Sequence, residues 1–160
     1  TSVFTTSPSE NGSVSGMVNG TITNNTPKTF TIQATTADGK TASASTSVAF
    51  QYKRYFGFIN GGEGGVAFVP TNEQILALSG SSFDTSAAFT ATVTPSGSQK
   101  LVIAYPAAWG GTKIIVGVND STRAFTKTQQ SVTNASGGTT NYVIFVQKDN
   151  TAAGYTVAVQ

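Results

Sequence analysis

The sequence predicts an all-β protein: an antiparallel β-sandwich with a smaller N-terminal β-hairpin region and one short helix. Three observations carry that expectation. Apolar residues recur with a period of two rather than 3.6, Thr and Val are plentiful, and polar, Gly-bearing turns separate the runs at short intervals. β-Branched side chains fit a pleated, half-buried surface, and repeated short strands with turn signals mean a sandwich or a barrel.

Taken in order, the first strand is expected over residues 28–37, where Phe30, Ile32 and Ala34 alternate with Thr and Gln. The second is expected over 41–52, where Ala42, Ala44, Thr46, Val48, Phe50 and Tyr52 keep one parity. Asp38-Gly39 stands between them and reads as a tight hairpin turn that buries one face of the pair, because primed turns need positive φ. Further strands are expected over 54–60, with Tyr55, Phe56 and Phe58, and over 87–94, with Phe89, Ala91 and Val93 on one face. Residues 101–105, 113–118, 142–147 and 155–159 complete the set. One segment reads as helical: good helix formers over 72–78 follow a Pro70-Thr71-Asn72 start.

A boundary is expected near Lys53-Arg54, giving 1–53 as a partial sandwich or connecting region and 54–160 as the principal β-sandwich. About 53 residues fall short of a complete immunoglobulin-like sandwich, which takes roughly 100. The chain opens on Thr1 and not on Met, so a piece of a longer protein or a processed product is expected.

Composition narrows the chemistry. Only 10% of the 160 residues are charged, against roughly 25% in ordinary globular chains. Cysteine and histidine are both absent, which removes disulfides, thiolate nucleophiles, Cys/His zinc sites and a Ser-His-Asp triad. No cofactor or metal is expected. The net charge of +2 is too small and too scattered to expect nucleic acid as a partner. The longest apolar runs, such as 101–108, fall short of the roughly 20 residues of a membrane helix, so no membrane insertion is expected.

Candidate sites are few. The acids Glu10, Asp38, Glu63, Glu73, Asp84, Asp120 and Asp149 offer no pair at evident glycosidase spacing, and no enzyme activity is expected. The stretch Gly12-Ser13-Val14-Ser15-Gly16 has Val14 where a nucleophile elbow needs serine. Gly61-Gly62-Glu63-Gly64-Gly65 is followed by strand-like residues and a proline, not by the helix of a phosphate loop. The Asn-x-Ser/Thr sites at Asn11, Asn19, Asn24, Asn119 and Asn134 follow from the Thr- and Ser-rich composition. Trp109, the single tryptophan, stands with Tyr105 in a loop-like aromatic segment, where sugar faces stack on exposed rings. Asp120 and Arg123 flank a polar turn and would hydrogen-bond a polar ligand. These four are the expected ligand-binding residues.

Residues 41–160 resemble a module of bacteriophage tail fibres and other virion appendages. The features that carry this are Thr-Ala-Ser-Ala-Ser-Thr-Ser-Val-Ala-Phe at 41–50 running into Arg54-Tyr55-Phe56-Gly57, then Ile75-Leu76-Ala77-Leu78 ahead of Phe89-Thr90-Ala91. Leu101-Val102-Ile103-Ala104-Tyr105-Pro106 with Gly110 follows, then Asn141-Tyr142-Val143-Ile144-Phe145-Val146, a Gly154 turn and Thr156-Val157-Ala158-Val159. The resemblance implies a homotrimeric, receptor-contacting sandwich at a fibre end. It would attach without enzymatic action to a host bacterial surface polysaccharide, and would sit on the virion, extracellular after release. It transfers no binding residue. A carbohydrate-binding module of a hydrolase and a purely structural virion or adhesin domain are the alternatives.

Overall fold

The computed structural model describes residues 28–48, 51–61, 67–134 and 137–160. The turns at Asn11-Gly12 and Asn19-Gly20, the 12–16 stretch, the sites at Asn24 and residues 62–65 lie outside the described residues. Two compact units divide the chain between Gln51 and Tyr52. Lys53 and Arg54, where a boundary was expected, are both inside a strand of the second unit.

In the first unit, β1 (Lys28–Thr35) and β2 (Thr41–Val48) pair antiparallel in the register Lys28 to Val48 and Thr35 to Thr41. The connection is longer than a two-residue turn. Thr36 and Lys40 close it, with the Thr36 amide donating to the Lys40 carbonyl at 2.8 Å and the Lys40 amide donating to Thr36 Oγ1 at 3.0 Å. Gly39 takes φ +83° inside that loop, a conformation that favours glycine. The expected buried face is not found among the described residues: all of β2 is exposed, and Ile32 is 66% exposed. Parity alone does not bury a face: Phe30, Ile32, Ala42, Ala44, Thr46 and Val48 share one side of the hairpin, yet Ile32 and Val48 on it are exposed. Tyr52, expected at the end of β2, opens the next strand instead.

The second unit is an antiparallel sandwich. Its five-stranded sheet has the order β4 (Gly80–Asp84), β3 (Tyr52–Ile59), β6 (Lys100–Pro106), β10 (Thr139–Gln147) and β9 (Phe125–Thr133). Its four-stranded sheet has the order β5 (Phe89–Val93), β11 (Tyr155–Val159), β7 (Ile114–Val116) and β8 (Asn119–Asp120). Between the sheets, Leu101, Ile103, Tyr105, Val143 and Phe145 meet Val93, Ile114, Val157 and Val159. The other face of the larger sheet is covered as well. Val102, Ala104, Tyr142, Ile144 and Val146 pack there with Ile75 and Leu78, which belong to and follow α1 (Asn72–Leu76). Burial on both faces explains why β6 reads as a continuous apolar run instead of an alternating one.

Local chemistry starts and holds α1. Thr71 Oγ1 accepts from the Gln74 amide at 3.3 Å, and Gln74 Oε1 accepts from the Thr71 amide at 2.8 Å. This reciprocal capping satisfies two otherwise orphaned donors. Asn72 then reaches the edge strand β9, donating to the Thr133 carbonyl at 3.1 Å and accepting from its amide at 2.8 Å.

Tyrosines packed on both faces make the fold sensitive to alkali. Burial pushes the Tyr105 hydroxyl up to about 12, and it pushes Tyr142 and Tyr55 upward too. A raised folded-state pKa means that the neutral form stabilises the fold fully below the unfolded value of about 10. That contribution is lost as pH climbs from there through about 12. The urea midpoint is expected to hold between pH 7 and 9 and to fall steadily between pH 10 and 12. A midpoint flat to pH 12 would show these rings to be solvated.

Candidate functional site

The turn that joins β7 to β8 builds a polar groove. Ile115 faces Asp120 and Val116 faces Asn119 in the register, and Gly117, with φ +60°, allows the chain to reverse between them. Beyond β8 the chain makes a single 3₁₀ turn, Thr122–Ala124. Asp120 Oδ1 accepts from the Thr122 amide at 3.0 Å and from Thr122 Oγ1 at 2.6 Å. Thr122 Oγ1 in turn accepts from the Ile114 amide at 2.9 Å. The sheet therefore fixes Thr122, and Thr122 fixes the carboxylate.

One oxygen of Asp120 remains available, since no described residue bonds to Oδ2. Asp120, Thr112, Lys113, Thr122 and Arg123 line an open groove of about 520 Å³. The Thr122 hydroxyl and amide hold the Asp120 carboxyl below its ordinary value of 3.8, and the charges of Lys113 and Arg123 act in the same direction. The groove thus presents one fixed acceptor, two cationic donors and the exposed Thr112 hydroxyl. This set hydrogen-bonds a ligand rich in hydroxyls.

The four expected ligand residues part company here. Asp120 and Arg123 share the groove. Tyr105 does not: it is fully buried between the sheets, its hydroxyl donating to the Gly111 carbonyl at 3.0 Å. Gly111 has φ +83°, and a Cβ there would lie 2.6 Å from that of Ala87, so only glycine fits beneath the tyrosine. Trp109 is half-buried on the 3₁₀ turn Ala107–Trp109 and packs inward. Its ring lies 5.6 Å from the Arg54 guanidinium, which stacks on Phe89 at 4.3 Å. Tyr105 offers no sugar platform in this arrangement, and the Trp109 ring is committed in part to the core. No family model, curated protein or solved structure matches this chain.

Thr112, Lys113 and Thr122 were not singled out by sequence reasoning, although Asp120-Ser121-Thr122 carries the signal for Thr122. Asp hydrogen-bonds a residue two positions on in turns of this kind. Lys113 enters by a different route: the Thr112 and Lys113 amides both donate to the Gln160 carbonyl, which ties this stretch to the end of β11.

Proposed function

We propose that this chain is a non-enzymatic attachment domain whose Asp120 groove binds a surface polysaccharide. The observation that carries this is the fixed, half-free carboxylate flanked by Lys113, Arg123 and the Thr112 hydroxyl. Glycoside hydrolysis uses two carboxylates about 5 to 9.5 Å apart, and the groove lining holds one. In the setting implied by the resemblance to tail-fibre modules, three copies would form a fibre end on a virion, and the ligand would be a polysaccharide of the host bacterium.

Asp120→Asn is the informative change, because the amide oxygen keeps both Thr122 bonds while the charge is lost. Binding to a panel of bacterial surface polysaccharides is expected to be saturable in the unaltered protein. The variant should weaken it about tenfold, as for loss of one charge-assisted hydrogen bond, with the melting temperature unchanged. The lowered Asp120 pKa sets the pH window. The charged form persists from neutral pH down past 3.8, so binding should hold there and fail only as pH drops through the lowered value. No saturable binding to any polysaccharide would remove the proposal.

A purely architectural role has one observation in its favour. The β1–β2 hairpin displays Ala42, Ser43, Ala44 and Ser45, all exposed and small enough for another backbone to approach closely. Saturable glycan binding decides against that role as the sole one.

A further inference from the structure

We infer that the cavity beside Lys100 is a second binding site, one that takes the carboxylate of an acidic sugar. Lys100 opens β6 and is only 4% exposed. Gly61 makes that burial possible: a Cβ there would collide with the lysine stem, so the bare backbone lies against the methylenes. The ammonium donates to the Lys148 carbonyl, and among the described residues no carboxylate lies within 4 Å of it. An ammonium has three protons to place, and a buried cation is costly unless it is both paired and hydrogen-bonded. The cavity beside the ammonium gives an anion room to take up the protons that the Lys148 carbonyl does not.

The cavity has the volume and walls for a sugar ring. It measures about 330 Å³, within the usual range of small-ligand sites. Phe68 and Val146 give it apolar walls, and Thr126 contributes a hydroxyl. Lys148 and Asp149 stand at its exposed rim, a cation and a carboxylate. Lys148 also links the cavity to the Asp120 groove: its Nζ donates to the Arg123 carbonyl at 2.8 Å, and its amide donates to the Ala124 carbonyl at 2.9 Å. Lys148 is thus the residue that lines the cavity and bonds the backbone of the groove residue Arg123. For a polymer ligand this rests on the groove proposed above; for a single sugar it stands alone.

The test uses the intact chain with nitrogen-labelled lysine, titrated with glucuronate, glucose and acetate. The Lys100 ammonium resonance is expected to shift saturably with glucuronate and to stay fixed with glucose. Lys100→Met, which keeps the stem and removes the charge, should weaken glucuronate binding at least about tenfold. Should that variant not fold, the lysine resonance of the unaltered protein decides alone. A Lys100 signal indifferent to glucuronate overturns the inference. If polysaccharide still binds in a manner sensitive to Asp120→Asn, the groove survives that failure. An equal response to acetate also overturns it, assigning the cavity to free carboxylates instead of a sugar.

Discussion

Phe145→Ala is expected to cost about 3–5 kcal/mol, the usual range for emptying a fully buried aromatic site. The ring is 1% exposed, near the end of β10 and packed between the two sheets, with its centroid 6.1 Å from that of Tyr105. Lys127 also sends its ammonium to 5.5 Å from the ring. Both neighbours are held by strand pairing, Tyr105 opposite Val143 and Lys127 opposite Phe145 itself. The backbone therefore cannot close over the missing ring, and most of its volume stays empty. The melting temperature should drop by roughly 12–20 °C, at about 4 °C per kcal/mol, the value between those of 60–100-residue and 150–250-residue domains. Thermal and urea unfolding measure it. A loss under about 1 kcal/mol would mean that the two sheets do not pack around this ring.

Arg54→Met is expected to be nearly as damaging, at about 3 kcal/mol, although it places an apolar side chain in the sandwich. Arg54 is 2% exposed and lies on β3. Its Nη2 donates to the Ser86 carbonyl, to the Ala88 carbonyl at 3.2 Å and to Asp84 at 3.3 Å. These acceptors belong to the end of β4 and to the connection from β4 to β5, which carries the chain from one sheet to the other. Burial lowers the guanidinium pKa and the Asp84 charge acts against that, so the cation is retained where three acceptors converge. Methionine fills the space and leaves the carbonyls bare. Arg54→Lys should recover little, since a point charge does not reproduce the planar fork. Trp109 supplies an internal reporter: it is the single tryptophan and faces the guanidinium. Its emission should shift to longer wavelength in Arg54→Met. Unchanged emission with unchanged stability would show that Arg54 does not anchor this connection.

Much of the sandwich was legible in the sequence wherever strands carry apolar side chains. β3, β6, β10 and β11 stand close to their expected positions, and α1 lies within its expected span because capping is a local matter. β9 escaped detection over nine residues for a physical reason. Between Phe125 and Val132 its side chains are Thr, Lys, Gln and Ser, which an edge strand tolerates and which hide its period. β4 and β8 are short edge strands of the same kind. At the groove, Asp120 and Arg123 were legible because they bracket one turn. Tyr105 and Trp109 were not, because their fate depends on Gly111 beneath one and Arg54 beside the other. Lys100 was invisible for a related reason: its burial requires Gly61 and Lys148, distant in sequence.

The pairing of Asn72 with Thr133 has a consequence for self-association. The Asn72 amide uses one N–H and its oxygen here, as a peptide group would, but no next residue follows it along the strand. Asn72 therefore acts as a terminator at this end of the five-stranded sheet. A neighbouring chain that tried to add a strand beside Thr133 would find the docking position already taken, and sheet-to-sheet polymerisation would be checked there. The cap that starts α1 thereby orients a residue that helps keep the molecule from templating its own aggregation.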